Sequence, residues 1–446
     1  MECPVARAAG LRPNAPALVW RGRTWSYGDL DALVRRWHAA LAAAGFRRAV
    51  VRSENRPEII ALLHGAARAG VELALLNARL ADAELPSLLD RLGPALRLGD
   101  LPDAAPLDAF ATDAAPAQPV ALDPALVQTI LFTSGTTGRP KAAQLTVAAH
   151  LANARASLET LRIDESSSYL CNLPLFHVGG IATAIRCSLA GAALVLHERF
   201  EAGVTVDALA SGVTHASLVA TTLQRVLTLR GRFPRSVRAV LVGGGPVAPE
   251  LLARAKRAGL PVLHTYGLTE AASQVTAERL EDADGRTAGW PLPGVDVRVV
   301  DGEIEVRGPT LMLGYLGEPP LRGWFRTGDL GTIDDRGRLI VHARRTDVIV
   351  SGGENVYPAE VEAALLRHPD VVECSVLPWP DDEFGQVGCA AVVARRALSD
   401  AELREHCRAL LAPFKVPRRF VAVDALPRNA AGKSDRVALA RLFQRS

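Results

Sequence analysis

Residues 128–143 read QTILFTSGTTGRPKAA. A β-type run, Gln128–Thr133, leads into Ser134, Gly135, Thr136, Thr137 and Gly138, and the loop closes at Lys141. Glycines let backbone N–H groups turn toward an anion, hydroxyls add donors, and a lysine adds charge. A strand that ends this way suits a polyphosphate. It is not a Walker A loop, because GxxxxGK[ST] needs Ser or Thr after the lysine and Ala142 stands there. Taken alone, the segment also fits a flexible Ser/Gly turn.

Outward from this segment the pattern is α/β. Between 125 and 300, short β-type runs (QTILFT, SLVAT, VRAVLV, PVLHTY) alternate with helices such as PELLARAKRAG at 249–259. Such alternation predicts largely parallel strands, with ligands held at the loops beyond strand C-termini. Toward the N-terminus, the spacing of Leu30, Leu33, Val34, Trp37 and Leu41 predicts a helix over 24–45, started by a Ser26–Asp29 turn and stopped at Gly45. A second helix is expected over 57–70, with Pro57 in its first turn and Gly70 at its end. Residues 94–124 hold six prolines and no periodicity, and read as a surface loop or crossover. Toward the C-terminus, 302–345 read as antiparallel strands, with Asp334, Asp335 and Gly337 in an ordinary hairpin turn. The last hundred residues read as an α+β unit with helices over 358–368 and 399–411, the second opened by a Ser399–Glu402 capping box.

Composition narrows the function classes. At about 150 residues per domain, 446 residues suggest roughly three domains. A net charge of +3 is too weak a field to imply nucleic acid or an anionic membrane. No stretch approaches the 18 apolar residues of a membrane span, and the start MECPVARAAGLRPN lacks the apolar core of a secretory signal. Six scattered cysteines with no CxxC pair predict reduced, buried thiols and a cytosolic chain. Of 51 basic residues only Lys141, Lys256, Lys415 and Lys433 are lysines. A chain drifted so far toward arginine is expected to keep lysine where a compact, flexible charge is needed.

Three further segments carry chemistry. VRAVLVGGGPVAPELL (237–252) is a second strand–glycine–helix unit, in which Gly243, Gly244 and Gly245 suit the close approach of a flat ring such as adenine, or a plain tight turn. In HTYGLTEAASQV (264–275), Tyr266 can stack on a purine ahead of Gly267, Thr269 can donate to a phosphate, and Glu270 is a hard oxygen ligand suited to Mg2+. A carboxylate beside a polyphosphate calls for a cation that neutralises both. Without those neighbours Glu270 would read as a solvated loop acid. Within residues 323–362, Asp329 in a Thr-Gly-Asp turn can accept both hydroxyls of a ribose, and Arg344 can reach the same sugar or its phosphate. Near the C-terminus, PRNAAGKSDR (427–436) sets Lys433 on a polar glycine loop.

SGTTGRPK, GGGP, YGLTE, TGDL, ARRTDVIVSGGENVYPAEVE and NAAGK stand in the order and spacing of the adenylate-forming acyl-CoA synthetase superfamily, which the chain resembles from about residue 20 to its end. The resemblance implies a large N-terminal domain (1–344) of layered, mostly parallel sheets and helices with a small antiparallel barrel-like part. A small mobile α+β domain (345–446) follows, with a hinge at 344–347 near Thr346. It implies ATP, Mg2+ and coenzyme A as cofactors and a carboxylic acid as substrate, with homo-oligomer formation left open. By the same resemblance the 133–141 loop, Thr133 to Lys141, holds the β- and γ-phosphates, and Glu270 holds Mg2+. Asp329 fixes the ribose, and Lys433 bridges the α-phosphate and the attacking carboxylate. Gly352 and Gly353 suit close packing on the thiol path, and His177 resembles an aromatic gate beside the acyl pocket, or is a core histidine. Within the superfamily, NLPLFHVGG, SLVATTLQRVL and YGLTEAASQV are most similar to the branch acting on 2-succinylbenzoate in menaquinone synthesis. Ser273, Gln274 and Thr222 are then candidate donors to the substrate's second carboxylate, and Arg225 reads as a helix-surface residue. Ligases for aryl or medium-chain acids, and adenylation enzymes that load a carrier protein, share the same motifs.

Overall fold

A computed structural model describes residues 1–445 apart from 112, 113, 116, 119, 134–139, 352, 353 and 429–433. The chain divides into two compact units, Met1–Val297 with Val306–Phe325, and Arg298–Glu305 with Arg326–Ser446.

The first unit is built on two sheets. One has six strands in the order Gly314–Tyr315, Lys141–Thr146, Val127–Thr133, Glu72–Leu76, Arg48–Arg52 and Leu96–Gly99. Its last four strands run parallel, and the 127–133 and 141–146 strands form an antiparallel hairpin with Thr133 opposite Lys141. The other sheet has nine strands, and its central members Ser168–Cys171, His215–Leu218, Ala239–Val242 and Val262–Leu268 are parallel. One large apolar core that includes Trp37, Leu41, Ile60, Leu73, Tyr169 and Leu241 lies against both sheets.

Local chemistry explains the helices. Ser26 Oγ accepts from the Asp29 amide at 3.1 Å while the Asp29 carboxylate accepts from the Ser26 amide at 2.9 Å, closing a capping box on helix Tyr27–Ala44. Helix Pro57–Ala69 follows the expected 57–70 reading, with Gly70 at its C-cap. Three expectations need correction. Residues 94–124 are not all loop, because Leu96–Gly99 adds a parallel edge strand beside Arg48–Arg52 and Leu107–Phe110 forms one helical turn. SLVAT is strand only to Leu218, since Thr222 Oγ1 turns the chain into helix Ala220–Leu229 by accepting from the Val219 amide at 3.0 Å. Ser399 caps helix Asp400–Arg408 by accepting from the Glu402 amide, but the Glu402 carboxylate pairs with Arg396 instead of completing a box.

Most of a four-stranded sheet, ordered Asp296–Val300, Glu303–Arg307, Phe325–Ile333 and Leu339–Arg344, falls in the second unit. A five-stranded sheet follows, in which Val371–Asp381 and Gly385–Ala394 form a long antiparallel hairpin and Arg419–Ala422 adds in parallel. Helices Pro358–Leu366 and Asp400–Arg408 contribute to its core through Val361, Leu365, Leu403 and Cys407. All six cysteines are free thiols. Among the described residues no helix is long and apolar enough to cross a membrane.

Glu362 is half-buried beside this sheet and accepts from the Val376 amide at 2.8 Å. Burial pushes its carboxyl up from 4.5 to about 7, opposed by that hydrogen bond and by Arg436, and reinforced by Asp347. A folded pKa above the unfolded one gives stability that is full below about pH 4.5 and lost as pH rises through about 7. Protection of the Val376 amide against hydrogen exchange, corrected for the intrinsic rate, is therefore expected to fall between about pH 5 and 8. Glu362→Gln keeps the acceptor and cannot ionise, so it is expected to flatten that fall. An equal fall in both proteins counts against the assignment.

Candidate active site

The HTYGLTEAASQV segment folds as a tight hairpin, strand Val262–Leu268, a 3-10 turn Thr269–Ala271 and strand Ser273–Ala277. Gly267 is required there, since a Cβ would lie 2.1 Å from the Ser273 carbonyl oxygen that closes over it. Ala272 (φ +54°) and Ser273 (φ +119°) both hold positive φ, a strained pair for non-glycine residues. Asn153, buried on helix Val147–Leu161, holds the turn by donating to the carbonyls of Ala271 (3.2 Å) and Gln274 (2.8 Å). Thr269 and Glu270 begin the turn, and Tyr266 sits half-buried on the strand before it.

On one side of this turn lie Glu270, Lys141 and Tyr315. Glu270 is nearly buried, its Oε1 accepting from Tyr315 Oη at 2.7 Å. Lys141 opens its strand with its ammonium 4.4 Å from the centroid of the Tyr315 ring and 3.5 Å from Glu318. Thr133 and Lys141 thus stand opposite each other at the mouth of the loop. Ser134, Gly135, Thr136, Thr137 and Gly138 lie outside the described residues. A hard carboxylate such as that of Glu270 fits Mg2+, which keeps several waters and takes one or two carboxylates together with substrate phosphates.

Behind the turn lies a residue that motif reading missed. Arg186 on helix Val178–Ala190 is fully buried, with Nη2 3.4 Å from Asn153 Oδ1 and 3.5 Å from Ser273 Oγ. Among the described residues its Nε has no partner, and burial holds its pKa below the ordinary value with Tyr169 and Cys187 opposing. A guanidinium in such surroundings is costly unless an anion completes it. The signal was present in the sequence as the one cation in VGGIATAIRCSLA.

The other acyl-side candidates have partners in the fold. Gln274 is buried, accepting from Ser157 Oγ at 2.7 Å and donating to Thr265 Oγ1. Thr222 spends its hydroxyl on Val219, accepting from its amide and donating to its carbonyl. His177 precedes helix Val178–Ala190, its ring edge-on to Phe176 at 4.8 Å. Arg225 is exposed, as expected. In the GGGP loop, Gly243 is dictated by the chain itself, because a Cβ would lie 2.6 Å from Thr265 O. Gly244 takes a positive φ, and around Gly245 space is open.

In the second unit, the register of the sheet sets Asp329 opposite Arg344, and Asp329 Oδ1 pairs with Arg344 Nε at 2.8 Å. Beneath this Thr-Gly-Asp turn sits Glu303, which is buried. Its carboxylate accepts from the Gly328 amide (3.0 Å), Arg326 Nε (3.1 Å) and Arg345 Nη2 (3.1 Å). Asp334 accepts from the Arg336 and Arg338 amides in the expected hairpin turn. Gly352, Gly353 and Lys433 lie outside the described residues. The stem of the Lys433 loop is described, with Arg428 bridging Ser434 and the Asp435 amide donating to Pro427 O at 2.8 Å.

A hairpin closed by Thr133 and Lys141, a carboxylate-bearing turn at Glu270 and a Thr-Gly-Asp turn at Asp329 stand where a class of enzymes carries them. The chain belongs to the AMP-binding enzyme family, whose model matches residues 5–316, with the C-terminal domain of AMP-binding enzymes matching 360–433. Among its relatives are 2-succinylbenzoate–CoA ligases of Geobacillus kaustophilus (38% identical, covering 98% of this chain and 97% of the relative) and Bacillus velezensis (37%, 95% and 94%). The o-succinylbenzoate CoA synthetase (MenE) of Bacillus subtilis, solved with the acyl-adenylate intermediate OSB-AMP, superposes with a TM-score of 0.91 at 34% identity over 98% of each chain. The same enzyme solved with ATP and a magnesium ion gives 0.91 at 33% over 99% of each.

Glu303→Ala would leave the Gly328 amide without its carboxylate acceptor and remove a shared partner of Arg326 and Arg345. Losing a buried hydrogen-bonded carboxylate costs about 2–4 kcal/mol. Thermal denaturation is expected to show a lower melting temperature, and steady-state kinetics a higher KM for ATP as the Asp329 turn loosens. Unchanged values of both would remove Glu303 from this account.

Proposed function

We propose that the chain is an ATP-dependent, AMP-forming acid–CoA ligase that converts 2-succinylbenzoate to 2-succinylbenzoyl-CoA in menaquinone synthesis. A carboxylate is a poor electrophile because its leaving group would be oxide. ATP removes that barrier: the carboxylate attacks the α-phosphorus, pyrophosphate leaves and an acyl-adenylate forms. The thiol of coenzyme A then attacks the acyl carbon and AMP leaves.

The protein's work is to position anions that repel one another and to neutralise charge as it moves. Thr133, Lys141 and the hydroxyl–glycine loop between them hold the β- and γ-phosphates, and Thr269 donates to phosphate. Glu270 is the residue that would hold Mg2+, which supplies charge neutralisation at the phosphates when bound. Gly243–Gly245 and Tyr266 take the adenine, while Asp329 takes the ribose with Arg344 beside it. Lys433 bridges the α-phosphate and the attacking carboxylate, then withdraws before coenzyme A enters. That exchange assigns residues 345–446 to a lobe turning near Thr346, with Gly352 and Gly353 on the thiol path, and residues 1–344 to adenylation. Six free thiols support a reducing compartment, the cytosol.

The observation that carries the diacid is Arg186. A buried guanidinium beside Ser273, with an Nε unpartnered and no carboxylate opposing its burial among the described residues, supports recognition of a second substrate carboxylate. Ser273 would join it. Gln274 and Thr222, spent on Ser157 and Val219, would shape the pocket rather than donate.

Acid-dependent ATP–pyrophosphate exchange is expected with 2-succinylbenzoate and not with benzoate or fatty acids; exchange with benzoate but not the diacid would remove the assignment. Arg186→Leu is expected to raise the KM for 2-succinylbenzoate roughly 30- to 1,000-fold, the loss of a buried charge pair, while the KM for ATP stays within about twofold. Arg186→Lys is expected to recover part of it. Lys433→Ala is expected to slow adenylation by about two to three orders of magnitude and to spare thioesterification from preformed acyl-adenylate. Equal loss in both half-reactions contradicts that division.

A further inference from the structure

We propose that Tyr315 is a positioning residue of the phosphate site, an insulating bridge that holds the Lys141 ammonium and the Glu270 carboxylate close without letting them neutralise each other. The inference rests on the reading of Lys141 as a phosphate ligand and Glu270 as the Mg2+ carboxylate.

Tyr315 belongs to the two-residue strand Gly314–Tyr315, which pairs antiparallel with Lys141–Thr146 and sets Tyr315 opposite Ala143. Backbone hydrogen bonds fix this segment on both sides. The Leu313 amide donates to Gln144 O and the Leu316 amide to Ala142 O, each at 2.8 Å, while the Met312 amide donates to the carbonyl of Glu270 itself at 2.8 Å. One short stretch is therefore tied to the lysine strand and to the carboxylate turn at once.

The phenol extends the tie to the side chains. Its hydroxyl donates to Glu270 Oε1 at 2.7 Å, and its ring face lies under the Lys141 ammonium at 4.4 Å. A glutamate and a lysine on flexible stems would otherwise pair directly, and each would cancel the charge the nucleotide needs. Among the described residues Lys141 pairs instead with Glu318, at 3.5 Å and with both side chains more than a third exposed. A contact that exposed is weak and yields easily to a phosphate. Tyr315 thus fixes one carboxylate oxygen of Glu270, and it keeps Lys141 in place with a partner that carries no net charge.

Two substitutions separate the parts. Tyr315→Phe keeps the ring and removes the hydroxyl; Tyr315→Leu removes both. Binding of Mn2+, in place of Mg2+, to the complex with α,β-methylene-ATP is read by electron paramagnetic resonance, and binding of the analogue without metal by calorimetry in EDTA. Tyr315→Phe is expected to weaken Mn2+ about five- to tenfold, the loss of one charge-assisted hydrogen bond, with metal-free nucleotide affinity within about twofold of the parent. Tyr315→Leu is expected to weaken metal-free nucleotide binding as well, by about threefold or more, as Lys141 loses its platform. Thermal denaturation of each variant reports any general loss of structure, which would not confine itself to the metal. If Tyr315→Phe leaves Mn2+ affinity within twofold while Glu270→Gln weakens it tenfold or more, the inference falls and the reading of Glu270 stands. If Glu270→Gln has no effect either, both fall.

Discussion

One carboxamide fixes the turn on which the first unit's chemistry is arranged. Asn153 reaches from its helix to the carbonyls of Ala271 and Gln274, clamping a turn that carries two consecutive residues at positive φ. Such a conformation persists only where its surroundings over-determine it. Asn153 supplies that constraint from one side, and Met312, whose amide donates to Glu270 O, supplies it from the other. The turn in consequence separates two kinds of electrostatic work. Glu270 meets Tyr315, which also carries Lys141 on its ring, and Ser273 faces the buried guanidinium of Arg186.

That separation suits chemistry in which both partners are anions. Each carries charge that water would otherwise solvate, and each must lose solvent to react. Fixed groups of opposite charge substitute for the lost water without reorganising during the reaction. In the proposed reading Lys141 would answer the nucleotide, and Arg186 would answer a distal carboxylate. Binding energy spent on that remote group can hold the reacting carboxylate in place. A nucleotide and a diacid would together give each of these cations an anion.

Much of this was legible in the sequence wherever the determinants are local. Capping chemistry at Ser26 and the helix-ending glycines set two helices almost to the residue, and two residues the motifs named, Asp329 and Arg344, pair in the second unit. What escaped depends on tertiary contact. Leu96–Gly99 is too short and too close to prolines to announce a strand, and it exists as one because Arg48–Arg52 offers a free parallel edge. Helix Pro4–Leu11 is only eight residues long and carries no motif. Tyr315 sits 45 residues from Glu270, and Glu303 lies 25 from the Gly328 amide it holds. None of these roles follows from composition or spacing. Arg186 differs, since a lone arginine in an apolar helix is visible in the sequence, whereas its full burial beside Asn153 and Ser273 depends on the fold.

The central claim is that the acid becomes an acyl-adenylate through attack of its own oxygen on the α-phosphorus. Turnover of 2-succinylbenzoate labelled with 18O in its carboxyl groups, followed by mass spectrometry of the products, tests it directly. The account predicts one 18O in each AMP released and none in pyrophosphate, because the bridging oxygen leaves with AMP when the thiol attacks. Label in pyrophosphate or phosphate, or unlabelled AMP formed alongside the thioester, would contradict it.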